Sequence, residues 1–129
     1  MQSEQLVEDL QSAFLSKRTA AVKALSAEKN DEEEKPSSCL SVHYRSVYSG
    51  FDYTPSMAAY KSAKSGDLAA GLIDYASLKG AKEFVAACRT LGVDYVIGTG
   101  LKTDFDGRRL TLLALGVPLC EVKAMHKSL

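Results

Sequence analysis

Along the first part of the chain, apolar residues recur at helical spacing. Leu6, Val7, Leu10, Ala13 and Phe14 form one stripe, and Ala20, Ala21, Ala24 and Leu25 continue a weaker one among Lys and Arg. The pattern predicts two short amphipathic helices that need a surface to pack on. Periodicity stops at DEEEK, residues 31–35, which Pro36 and two serines follow. A charge run of this kind reads as a solvated linker. Residues 1–36 are therefore expected to be a helical leader with a charged linker, and residues 37–129 an α/β domain.

After Pro36 the pattern alternates between strand and helix. Leu40 to Tyr44 is a candidate first strand, and Thr54-Pro55 supplies an N-cap and a first-turn proline for a helix that Gly66 ends. Ala69 to Asp74, AAGLID, is apolar up to its last residue, as in a strand buried on both faces. Ala81, Phe84, Val85, Cys88 and Leu91 form one face of a second helix, with Gly92 as terminator. Val93 to Gly98 is a third strand, and Asp106-Gly107 marks a hairpin into a fourth. The tail EVKAMHKSL predicts a terminal helical turn or two. This order implies parallel pairing through crossovers. The expected fold is α/β: a partial (β/α) barrel-like sheet of about four strands, mostly parallel, behind an N-terminal helical leader.

Composition narrows the function classes. With 129 residues the chain suits one domain, and Lys+Arg and Asp+Glu balance at 16 each. No net field favours nucleic acid, so no nucleic-acid partner is expected. Cys39, Cys88 and Cys120 are an odd count without a CxxC, which fits reduced thiols in the cytoplasm better than a disulfide framework or zinc knuckle. No segment approaches the ~20 apolar residues of a membrane span, and no membrane partner is expected.

In parallel α/β sheets, ligands collect at the carboxyl ends of strands. Three stretches occupy that rim: His43 to Tyr53, Asp74 to Ser77 and Thr99 to Asp104. His43 reads either as a metal or phosphate contact or as a strand-end histidine bonded to a neighbour. Arg45, Ser46, Tyr48, Ser49, Thr54 and Ser56 together make a candidate anion pocket, since a guanidinium and free backbone N–H groups both favour phosphate. Asp74 reads as a supporting ligand or as the cap of the next helix. Gly98-Thr99-Gly100 lacks the third glycine and the following helix of a dinucleotide loop. Cys88 reads as a small core residue.

The same three stretches carry a family resemblance. VHYRSVYSGFDYTPSMAAY, GLIDYASLKGAKEFVAACRTLGV and VIGTGLKTDF resemble successive metal-binding segments of the PHP (polymerase and histidinol phosphatase) family. There a strand ends in HxH, the next in Asp-His, and a third in Gly-X-Glu. The resemblance implies a distorted barrel holding divalent metals and hydrolysing phosphate esters by metal-activated water. Carried over by position, it matches His43 and Asp74, while Arg45, Tyr75 and Gly100 stand where the family has His, His and Glu. Arginine is a permanent cation, a phenol with pKa ~10 ligates poorly near neutrality, and glycine has no ligating side chain.

Length points the same way. About 90 residues follow the linker, enough for roughly three βα units of about 30 residues, whereas a closed eight-fold barrel takes about 250. The sequence therefore predicts a truncated, degenerate PHP-like domain without metal-dependent hydrolysis of its own and with no expected cofactor, retaining anion or protein binding. One alternative is a phosphoesterase using zinc, manganese or iron, its site completed by another chain or by Asp52, Asp104, Asp106 and His126. Another is an interaction module whose open sheet edge is covered by a second copy or a partner chain.

Overall fold

The computed structural model describes residues 2–28 and 40–129, with backbone alone for residues 40–43. The charged linker, the boundary between residues 36 and 37, Cys39 and the side chain of His43 lie outside the described residues.

The leader forms α1 (Gln2–Asp9) and α2 (Leu15–Ala27). The first helix stops before Ala13 and Phe14 are reached. Phe14, expected on the apolar stripe, is 67% exposed and stands in extended conformation as the residue before α2. Burial instead runs through Leu10, Ala21, Val22 and Leu25, because the break between the helices resets the phase of the second one.

The rest alternates as the pattern predicts: β1 (Leu40–Tyr44), α3 (Pro55–Lys64), β2 (Ala69–Tyr75), α4 (Ala81–Leu91), β3 (Asp94–Phe105), β4 (Arg108–Leu115) and α5 (Val122–Ser128). The strands lie in the order β1-β2-β3-β4. β1 and β2 pair in parallel, as do β2 and β3, and β3 and β4 are antiparallel. Thr54 caps α3, its hydroxyl accepting the Met57 N–H at 3.2 Å, a contact of about 1 kcal/mol. The third strand runs seven residues past its expected end at Gly98, because β4 supplies ladder bonds beyond the end of β2. Asp106 (φ 49) and Gly107 (φ 72) turn that hairpin.

One core cluster joins Ala70 and Leu72 of β2 to Met57, Ala58 and Ala59 of α3 and Phe84, Ala87, Cys88 and Leu91 of α4. The leader residues Leu10, Ala21, Val22 and Leu25 belong to it too. A second cluster joins Ile97 to Leu78, Ala81, Val85 and Val122 of α5. Each fully buried Leu, Val or Phe stabilises by about 1.5–3 kcal/mol. Strand alternation turns Ile73 and Tyr75, with their register partners Gly98 and Gly100, to the face opposite these helices.

Candidate functional site

β2 ends by sending two adjacent side chains to opposite faces. Asp74, 2% exposed, is surrounded by donors from the loop after β1. One carboxylate oxygen accepts the Ser46 N–H at 2.5 Å and the Ser49 hydroxyl at 2.8 Å, and the other accepts the Ser46 hydroxyl at 2.6 Å. Ser49 Oγ in turn accepts the Tyr75 N–H at 2.9 Å. The Asp74 carbonyl accepts the Thr99 hydroxyl, also at 2.9 Å. Asp74 therefore does not cap the following helix. α4 begins at Ala81 with Gly80 at its N-cap and no side-chain cap, while the carboxylate turns back to hold the 46–49 loop.

On the other face the positions of Arg45, Tyr75 and Gly100 form a stack. Tyr75 and Gly100 are register partners. A Cβ on Gly100 would lie 2.6 Å and 2.7 Å from two ring carbons of Tyr75, closer than carbon atoms approach. The ring also carries Arg45, whose guanidinium carbon lies 4.1 Å from its centroid and 5.5 Å from that of Phe51. Cation–π attraction of this kind contributes roughly 0.5–2 kcal/mol. Ala76, next in the chain, is held at φ 47, rare for a residue with a side chain, as its N–H donates to the Gly100 carbonyl at 2.8 Å.

The other expected site residues are distributed. Tyr48 is exposed at the rim. Thr54 donates its hydroxyl to the Leu10 carbonyl, and Ser56 donates its own to Glu83 at 2.8 Å, so both face the helices. The candidate anion pocket thus divides: Ser46 and Ser49 surround the Asp74 carboxylate, Arg45 stacks on Tyr75, and Thr54 and Ser56 bond elsewhere. Asp104 lies 3.6 Å from Arg109 on the exposed hairpin, and Asp106 is in its turn. His126, read from sequence as lacking strand-end context, reaches the loop after β2, where its Nδ1 accepts the Leu78 N–H at 3.1 Å. Among the described residues no group of three or more His, Cys, Asp or Glu is placed to share a metal ion.

Two features escaped the sequence reading. Arg18 forms a nearly buried pair with Glu83 at 2.6 Å and 2.9 Å, and also donates to the Ser12 carbonyl. Glu83 raises the Arg18 pKa above its ordinary value against the opposing effect of burial. The Gln11 amide bridges the Asp52 carbonyl (2.6 Å) and the Thr54 N–H (2.9 Å). Both tie the leader to the rim loop or to α4. An arginine one helical turn before Ala21 and Val22 on α2 was the available signal for the first; a lone glutamine offered none.

A solved structure shares this fold. It is a protein of Bifidobacterium adolescentis, provisionally assigned as a metal-dependent phosphoesterase, with a TM-score of 0.60 and 19% sequence identity over 74% of this chain. The match covers 34% of that protein, so this chain spans about a third of its length. No protein-family model matches the chain, and no curated protein does. The likeness establishes a shared α/β fold. It leaves the chemistry of this chain to be argued from its own residues.

Proposed function

We propose that this chain is a degenerate PHP-like α/β domain, its sheet a partial barrel, that does not hydrolyse phosphate esters through a bound metal. The observation that carries this reading is the stack of Arg45, Tyr75 and Gly100. The three positions at which the resemblance expects ligands are occupied by one packed unit, with the phenol filling the space a longer side chain at position 100 needs. Asp74 supports the reading as well, since its carboxylate already accepts three hydrogen bonds. A dication here would meet a permanent cation and an engaged carboxylate, which is a poor fit to the three or more donors a catalytic metal takes.

What the rim offers instead is Arg45. Stacking uses the face of a guanidinium and leaves its in-plane N–H donors for an anion. The domain is accordingly a binding module whose rim contacts anions through Arg45 and not through Thr54 or Ser56.

The purified chain, incubated with zinc, manganese or iron and then dialysed, is expected to retain no stoichiometric metal and to leave p-nitrophenyl phosphate intact. Hydrolysis that His43→Ala abolishes would overturn the reading. Inorganic phosphate, titrated against the amide spectrum, should shift resonances around Arg45, and Arg45→Ala should remove those shifts.

A further inference from the structure

The edge strand β4 is built unlike an edge. Strands that border a sheet are normally protected from other chains by charges, a proline or a bulge. Residues 110–115, LTLLAL, contain no charge and no proline, and their ladder with β3 runs without a register break from Phe105 opposite Arg108 to Gly98 opposite Leu115. β4 lies last in the sheet order. Its Leu113 and Leu115, on one face of the strand, are 53% and 55% exposed, and Leu112 and Leu110, on the other, are 54% and 39% exposed. An apolar patch on one face would fit a helix or a flat surface. Apolar side chains on both faces of an edge that pairs with no further strand among the described residues fit another strand, which covers both at once.

We propose that the occupant is β4 of a second copy, paired antiparallel about a two-fold axis at Leu112. Such an axis stands perpendicular to the sheet, so a residue pairs with one whose number has the same parity and both lie on one face. Placing it at Leu112 sets Leu112 opposite Leu112 of the second copy, Leu110 opposite Ala114, Thr111 opposite Leu113, and Arg109 opposite Leu115. No like charges face each other in that ladder, and the three most exposed leucines of β4 lie within it. An axis at Arg109 would instead oppose two arginines, and one at Leu110 would leave Leu113 and Leu115 outside the ladder. The balanced charge of the chain, 16 basic against 16 acidic residues, adds no long-range repulsion between copies. The result is a single sheet running from β1 of one copy to β1 of the other. This pairing is independent of whether the rim binds anions or metals.

Light scattering across a micromolar concentration series tests it. The natural chain is expected to show a dimer mass, with amides of residues 109–115 slow to exchange. Leu112→Lys and Leu112→Glu each place like charges on the axis and should give folded monomers, checked by circular dichroism, since more than half of Leu112 is exposed. An equimolar mixture of the two should recover the dimer, because lysine then faces glutamate. A natural chain that stays monomeric at every concentration overturns the proposal, as do variants that remain dimeric. A mixture that fails to associate when each variant alone is monomeric removes the Leu112 axis and overturns it too.

Discussion

The phenol of Tyr75 lies where a side chain on Gly100 would have to begin. The two residues are register partners on adjacent parallel strands, and a Cβ at position 100 would fall 2.6 Å from Cδ1 of the ring. Their identities are therefore coupled: the ring is accommodated because its partner has no side chain. Gly100→Ala is expected to cost about 1–3 kcal/mol in urea denaturation, the usual penalty of overpacking. In a Tyr75→Ala background the same change should cost markedly less, with a coupling above about 0.5 kcal/mol. Equal costs in the two backgrounds would show that the ring is free to leave.

Asp74 should behave as a structural clamp. Asp74→Asn puts an amide among the Ser46 N–H and the Ser46 and Ser49 hydroxyls, all of which donate to the carboxylate. A loss of roughly 2–4 kcal/mol in the metal-free protein is expected, since buried donors to a charged acceptor lose their partner. A carboxylate held in reserve for a cation would give the opposite result: stability unchanged or raised without metal.

The pair between Arg18 and Glu83 joins α2 to α4 across 65 residues of sequence. Arg18→Ala leaves Glu83 nearly buried without its cation and should destabilise by about 3–5 kcal/mol. Replacing both residues with apolar ones of similar volume should recover much of that loss. Chemical denaturation of the two variants, followed by far-ultraviolet circular dichroism, decides it.

The described thiols should differ sharply. Burial pushes the pKa of Cys88 from 9.0 up to about 12, while Cys120 is exposed. Iodoacetamide near neutral pH should label Cys120 in the native protein and reach Cys88 only after unfolding. The sign of the accompanying pH effect follows from linkage. The folded pKa of Cys88 lies above its unfolded value, so the folded state keeps a proton that the unfolded chain loses. Below pH 9 this has no consequence, and from there toward pH 12 it lowers stability by up to about 1.4 kcal/mol per pH unit. Cys88→Ala should remove that part of the alkaline loss.

Much of the architecture was legible in local pattern. Thr54-Pro55 start α3, the apolar spacing from Ala81 to Leu91 marks α4, and Asp106-Gly107 turn the hairpin. In each case the signal and its structural consequence lie within a few residues of each other. The candidate site was legible only as a set of residue types at strand ends. Thr54 and Ser56 turned toward the helices because the leader and Glu83 offered partners there, and those partners are distant in sequence.

The sequence by itself determined the order of helices and strands, because turn chemistry and apolar period act over short range, and it also determined which residue types stand at the strand ends. Only the tertiary structure decided what those residues do. Parallel register set Tyr75 beside Gly100, and the fold of the 46–49 loop committed Asp74 to its donors. Packing of the leader produced the buried Arg18 and Glu83 pair. Steric exclusion and desolvation depend on neighbours brought together across the chain, and no local pattern specifies them.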